Sequence, residues 1–369
     1  MSNILFIFVD IISRNIYKTD THIRTMYKLK QRAEDFVVKE ISTAVFSESG
    51  KYLYVVMKKR NKNTLDVVKE LADILGIREK QIGFAGSKDK NALTEQLISL
   101  YGVSAAQVQG IKVKDVELTI KGYGPEPISL GDLAGNEFEI TVRNVDVGTA
   151  PEPQEYISNY FDEQRFGSQN VTIGKLLIQK KFKEAVILVD DPRCEEHLVQ
   201  TPNDAVGALK RVPIRLLRLY VNAYQSYLWN ETVSRYLRAT GTVKADVQYS
   251  LGTLIFVDMP LVGVKVPLVG FSGKMEDVPV EIQQVIDTLL DEEGIHYADF
   301  IIKQIPELTL EGELRKMFVR IKELQVGSLE DDDLNVGKKK ILIRFTLGKG
   351  SYATMVVRAL MESNSTKDF

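Results

Sequence analysis

Hydrophobic and polar positions divide the chain into three parts. In the first the spacing is that of strands. Phe36 to Ile41 has strand composition, with Lys39 and Glu40 as solvent-side positions, and Tyr52 to Met57 is a second run of aromatic and β-branched residues. The turn Ser47 to Lys51 between them predicts a hairpin. Leu65, Val68, Leu71, Ala72 and Leu75 then recur at helical spacing, from a start at Asn63-Thr64 to a stop at Gly76. Val103 to Gln109 predicts a short helix and Val116 to Ile120 a strand. Phe138, Ile140 and Val142 share one face of a further strand, after a loop that opens at Gly131.

Past Gly148 the pattern changes. Pro151 to Phe161 looks helical, and helical spacing continues to about residue 240. Its clearest stretch runs from Ile214 to about Leu237, with Leu217, Tyr220, Val221, Tyr224, Tyr227, Leu228 and Val233 apolar. Leu251 to Val257 and Leu261 to Val269 predict strands interrupted by Gly and Pro, and Val280 to Leu290 a helix. Glu330 to Asp333 reads as a solvated charge run. Strand character returns at Lys339 to Phe345, and Gly348-Lys-Gly350 turns into a helix over Ser351 to Met361. This order predicts a second domain inserted into a first, with both termini in the first.

Composition refines the picture. The 369 residues suit two domains, and 44% hydrophobic with 27% charged residues is ordinary for a globular protein. The one cysteine, Cys194, leaves no internal disulfide framework or Cys-based zinc site and suits a reducing cytoplasm. His22, His197 and His296 lack ligand spacing, so no metal is expected. The apolar run Ile4 to Ile12 is broken by Asp10 and has no preceding basic residue; it is too short to span a bilayer and is expected to be a strand or a leader. A net charge of −2 conceals strong segregation. Residues 51–90 carry ten Lys/Arg against five acids, residues 210–240 six against one, and residues 270–335 six against sixteen. Separate basic zones are the footprint of a polyanion binder; solvated helix faces are the plainer alternative.

One stretch concentrates the candidate chemistry. Ile82 to Ala85 is a short apolar run, Gly86-Ser87 breaks it, and Asp89 then stands between Lys88 and Lys90. A carboxylate at a tight turn, kept ionised by neighbouring cations, suits an Asp nucleophile. A solvated turn is the alternative that the stretch alone also allows. The spacing is not that of a P-loop, because Gly86 is followed by Ser-Lys-Asp. No G-x-G-x-x-G opens a helix after a strand, and no G-x-S-x-G is present. Phe36, Phe138 and Phe345 each stand at a loop–strand junction, where an aromatic ring packs in the core or stacks an extruded base.

Five segments in order resemble the TruD family of tRNA pseudouridine synthases. They are Glu34 to Glu40, Ala85 to Gln96, Gly135 to Ile140, Tyr160 to Gly167, and Phe345 to Thr354. Together they cover the chain from about residue 28 to 361. Two departures stand out: Ala33 replaces the family's usual Pro before Glu-Asp-Phe, and Gly348 replaces Pro in the last motif. Both bear on loop stiffness and neither on a reacting group.

The resemblance implies an α/β (α+β) fold. A catalytic domain with a mixed, mainly antiparallel sheet, residues 1–159 and 321–369, would carry an inserted α/β domain at 160–320. It implies isomerisation of uridine to pseudouridine in tRNA at position 13, by base flipping, with no cofactor and no metal. Asp89 would be the catalytic aspartate. Lys30 would be the active-site lysine, with Lys88 and Lys90 as further candidate cations. Phe138 would stack on the uracil, Asn136 would help hold the active-site loop, and Phe36 and Phe345 would line the pocket. Lys58, Lys59, Arg60, Lys62, Lys90, Arg211 and Arg215 would meet the RNA backbone. The expected partner is tRNA, without a membrane, and the expected state is a cytoplasmic monomer. The alternatives are a non-catalytic RNA-binding protein of the same fold, or modification at another RNA position. A phosphate-handling enzyme using the Gly86 turn is a third, which would need nucleotide or magnesium.

Overall fold

The computed structural model describes residues 27–149, 151–273 and 276–362. The run Ile4 to Ile12 and His22 lie outside them. Six strands come first: β1 (Phe36–Ser42), β2 (Tyr52–Arg60), β3 (Ile82–Phe84), β4 (Leu93–Tyr101), β5 (Val116–Gly124) and β6 (Leu133–Val145). The middle of the chain adds β7 (Tyr156–Ser158), β8 (Val243–Tyr249), β9 (Gly252–Val257), β10 (Lys265–Leu268), β11 (Glu313–Lys316) and β12 (Phe318–Arg320). The last three are β13 (Lys322–Val326), β14 (Glu330–Asp331) and β15 (Lys339–Gly348). The fold is mixed α/β. Nine strands form one sheet in the order β13-β15-β6-β1-β4-β2-β5, with β14 paired to β15 and β3 to β4. All these pairings are antiparallel except that of β1 with β4.

The expected hairpin does not form. β4 lies between β1 and β2, with Val38 opposite Thr94 on one side and Val56 opposite Leu97 on the other. Residues 43–51 bridge two inter-strand spacings, roughly 10 Å, so the turn-like segment is a crossover. The helix Thr64–Leu75 covers this end of the sheet. Its Val67, Val68, Leu71 and Ala72 are buried with Leu53, Val55 and Met57 of β2. It ends at Gly76, whose φ of 66° lies in the left-handed region that glycine adopts without strain.

Two further expectations are corrected. Pro151 to Phe161 is not a helix: β7 pairs antiparallel with β12, with Ile157 opposite Val319. The partner strand lies more than 150 residues away in the sequence, and its pairing overrides the local helical spacing. Nor is Glu330 to Asp333 solvated throughout: Glu330, Asp331 and Asp333 are exposed, as expected, but Asp332 is not. β14 pairs with β15, and Asp332 is buried against Arg143 at 2.8 Å. Arg143 also reaches Asp35 and Asp333, each at 2.8 Å, and so ties the start of β1 to β6 and β14. Burial alone would raise the Asp332 carboxyl. Hydrogen bonds from the amides of Asn144 and Leu334, from Asn335 and from Arg143 outweigh it and hold the group well below the usual carboxylate range.

The helix Ile214–Thr240 is the axis of the remaining residues. At 1.5 Å per residue its 27 residues extend about 40 Å. Its middle is buried on every side, as a helix inside a core must be, and Trp229 donates to Val266 O at 3.2 Å. Asn230 clasps the backbone of Phe161, accepting from its amide and donating to its carbonyl, both at 2.9 Å. The helix thereby holds the chain beside the sheet. Among the described residues no helix is long and apolar enough to cross a membrane.

Candidate active site

Strand register brings four of the sequence-singled residues together. Val38 stands opposite Phe138 and Glu40 opposite Asn136 across β1 and β6, while Phe138 stands opposite Phe345 across β6 and β15. Residues two apart share a face, so Phe36, Asn136, Phe138 and Phe345 occupy one side of the sheet. Phe138 stacks on Phe345 with ring centroids 5.3 Å apart and meets Phe36 edge-on at 6.4 Å. Gly135 permits this register. A Cβ there would lie 2.2 Å from Leu347 O, so a side chain would force β6 and β15 apart beside Asn136.

The Asp89 turn joins β3 to β4 and is held by buried side chains. Thr64 accepts from the Lys88 amide at 3.0 Å and donates to Gln96 at 3.1 Å, and Gln96 donates to Gly86 O at 3.0 Å. The Lys88 ammonium is not available to Asp89, because it pairs with Glu40 at 2.5 Å, with both side chains buried. Lys30 supplies the cation instead, with Nζ 3.1 Å from Asp89 Oδ2. The same ammonium lies 4.1 Å from the centroid of the Phe36 ring. Lys30 has a φ of 58°, a left-handed conformation that costs a residue with a side chain roughly 1–2 kcal/mol. The backbone bridge from Lys28 to Arg143 secures the strained segment two residues earlier.

A cavity of about 380 Å³ opens over Asp89. One wall is the sheet side: Phe36, Val38, Asn136, Phe138 and the turn from Ala85 to Asp89. The facing wall is Phe161, Gln164, Arg165, Arg315 and the turn from Lys349 to Thr354. Arg315 donates to Asn159 O and Oδ1 and to Gly350 O, and lies 4.1 Å over the Phe161 ring. Burial lowers its pKa to about 10. Arg165 donates to Ser226 at 3.1 Å, and neither arginine pairs with a carboxylate among the described residues. Burial raises the Tyr352 hydroxyl, while the two guanidinium groups pull it the other way. Asn136 Oδ1 and Thr354 Oγ1 are buried without a hydrogen-bond partner among the described residues.

Phe345 lies behind Phe138 in the sheet and is not part of the cavity surface. Lys59 is not a surface cation: it is fully buried, and its ammonium is taken up by backbone carbonyls. Lys58, Arg60 and Lys62 pair with Glu117, Glu34 and Glu70 at 3.7, 2.6 and 2.8 Å. Lys90, Arg211 and Arg215 are exposed. Arg215 begins the long helix roughly 16 Å before Ser226 along its axis. His197 pairs with Asp204, His296 with Asp299, and no metal-holding cluster exists among the described residues. A second cavity of about 430 Å³, between Lys180 and Val206, holds none of the candidate residues. Sequence reasoning missed Arg165, Arg315 and Tyr352, and it placed Glu40 on the solvent side, whereas its side chain is buried against Lys88. Arg165, Tyr352 and Glu40 all lay inside recognised segments, Tyr160 to Gly167, Phe345 to Thr354 and Glu34 to Glu40, and their place there was the available signal.

The family model for tRNA pseudouridine synthase D (TruD) matches residues 12–196, 191–251 and 257–360. The Methanosarcina mazei protein named "Probable tRNA pseudouridine synthase D" is 31% identical over 96% of this chain and 97% of its own. The Aquifex aeolicus tRNA pseudouridine synthase D is 30% identical over 91% of this chain and 98% of its own. The crystal structure of a Methanosarcina mazei chain assigned to tRNA pseudouridine synthase D superposes with a TM-score of 0.67. It is 29% identical and covers 94% of this chain and 96% of that one.

Proposed function

The chain belongs to the tRNA pseudouridine synthase D family, whose members isomerise uridine to pseudouridine in tRNA, and from that premise we propose that Asp89 is the reacting carboxylate. The observation that carries this is the Asp89–Lys30 pair at the mouth of an aromatic-floored cavity. A volume of about 380 Å³ lies near the lower end of ligand pockets, suited to one extruded nucleotide. The uracil stacks on Phe138, which Phe345 backs and Phe36 borders. Its hydrogen-bonding edge meets the unpartnered groups of Asn136 and Thr354.

The reaction breaks the N1–C1′ bond, turns the uracil, joins C5 to C1′, releases the C5 proton and leaves N1 protonated. Asp89 acts as a carboxylate at the sugar, by attack on C1′ to form an ester that C5 then displaces, or by removal of a sugar proton that leaves a glycal and is returned when C5 joins C1′. Both routes need it ionised, and Lys30 is the group that stabilises the negative charge. Arg165, Arg315 and Lys349 make the facing wall cationic and draw the flanking phosphates.

The target is uridine 13 of tRNA, on the strength of the family resemblance. The catalytic domain comprises residues 1–159 and 321–369, and 160–320 are the insertion. In support, all nine strands of the large sheet lie within 36–145 and 322–348. One chain supplies both walls of the cavity, which favours a monomer acting on tRNA in the cytoplasm.

The test uses tRNA tritiated at uracil C5. Wild type releases tritium, with position 13 converted. Asp89→Asn binds the tRNA and slows release on the order of 10⁴-fold. Release by Asp89→Asn at the wild-type rate sinks the assignment. Conversion only at another position moves the site and leaves the chemistry in place.

A further inference from the structure

Lys59 is a buried cation that the mechanism above does not use. It stands on β2 on the same face as Leu53, Val55 and Met57, and it is 0% exposed. Its ammonium donates to three carbonyls: Lys62 O at 2.7 Å, Asp89 O at 2.8 Å and Lys88 O at 3.4 Å. Two of the three belong to the turn that presents the Asp89 carboxylate. A buried ion is costly in itself, and an apolar side chain of similar volume often serves stability as well or better. The charge at this position therefore needs a reason other than packing.

We propose that Lys59 is a positioning residue for catalysis, fixing the peptide carbonyls of Lys88 and Asp89 so that the Asp89 carboxylate stays aimed into the cavity. The geometry works from two sides. Thr64 fixes the Lys88 amide and Gln96 fixes Gly86 O, while Lys59 fixes the two carbonyls that follow. Without the ammonium those carbonyls lose the donor that Lys59 supplies, and the turn is free to rotate towards water. Displacement of a reacting group by about 1 Å costs a rate on the order of 100-fold. The inference rests on Asp89 being the reacting carboxylate.

Titration offers an independent handle. Burial lowers the Lys59 pKa to about 8; nearby Asp89 opposes this and Lys88 adds to it. Those are the charged groups of the turn that face it. Lys30 and Glu40 pair with them, and the Lys62–Glu70 pair lies on the adjoining turn and helix. Below its folded-state pKa the buried charge costs stability, and that cost is relieved as pH rises from about 8 towards the unfolded value. Loss of the proton therefore weakens the hold on the turn while its own contribution to fold stability improves.

The experiment measures single-turnover tritium release and tRNA affinity with the full-length protein. Lys59→Met should lower the rate about 100-fold with affinity within about threefold of wild type. A folded Lys59→Met with the wild-type rate overturns the proposal. Should that variant fail to fold, the wild-type pH profile decides. A rate that falls with an apparent pKa near 8, at constant tRNA affinity, supports it. A rate that stays flat to about pH 9.5 overturns it. Tritium release by Asp89→Asn instead sinks the reading on which this one rests.

Discussion

The two walls of the cavity are built from different chemistry. On the sheet side every charge is spoken for: Lys88 by Glu40, Lys30 by Asp89, and Lys59 by three carbonyls. On the facing side the cations have no acid among the described residues. Arg165 and Arg315 bond to Ser226, Asn159 and Gly350, which are neutral acceptors, and Lys349 reaches Gly131 O. A wall whose charges are satisfied internally holds a geometry; a wall with uncompensated cations attracts an anion from outside. On the function proposed above, the chemical step belongs to the sheet and phosphate binding to the facing segments, which predicts that substitutions on the two sides separate rate from affinity.

The largest effect should come from the sheet side. Lys30→Met removes the cation 3.1 Å from Asp89 and leaves the carboxylate unpaired while charge moves at the sugar. Its single-turnover rate should fall 10²–10³-fold, about 3–4 kcal/mol, the scale of one preorganised electrostatic contact. The affinity for tRNA should change much less, because the ammonium points to Asp89 and the Phe36 ring. Equal losses in rate and affinity would erase the division between the walls.

Arg165→Gln should show the opposite split. It keeps a donor for Ser226 but removes the charge. The expected loss is about tenfold in tRNA affinity, with the slope of log K against log salt reduced by about 1. The rate at saturating protein should fall by less than about threefold. A salt titration of wild type and variant measures both quantities, and an unchanged slope would remove Arg165 from phosphate binding.

The sheet wall was more legible in the sequence than the facing wall, for a physical reason. Phe36, Asn136 and Phe138 lie on strands whose period of two is local, so their shared face follows once the strands are placed. The same rule was available for Lys59. It continues the alternation of Leu53, Val55 and Met57, which marks a buried position, but its basic neighbours Lys58, Arg60 and Lys62 gave it the look of an exposed loop. Pairing partners are not local. Nothing in β1 or β2 shows that β4 comes between them, and the two prolines before Tyr156 were a weaker signal than the helical spacing of its apolar residues. Arg165 and Arg315 are 150 positions apart in the sequence and meet over Phe161, whose backbone Asn230 of the long helix holds. No window of sequence contains that contact.

The smallest expected effect separates cations that only look available. Arg60 lies in the most basic stretch of the chain and was expected to hold RNA backbone, yet its guanidinium is 2.6 Å from Glu34, with both side chains about half exposed. An exposed pair of this kind contributes little to stability and presents almost no net charge to a distant phosphate. Arg60→Ala should therefore alter tRNA affinity by less than about threefold and leave the salt slope within about 0.3 of wild type, against the full unit expected for Arg165. A loss as large as that of Arg165→Gln would mean that Arg60 exchanges Glu34 for phosphate on binding. The RNA would then run across the loop after β2 as well as into the cavity. The ratio of the two slopes decides whether unpaired charge, rather than local basic composition, marks where the nucleic acid lies.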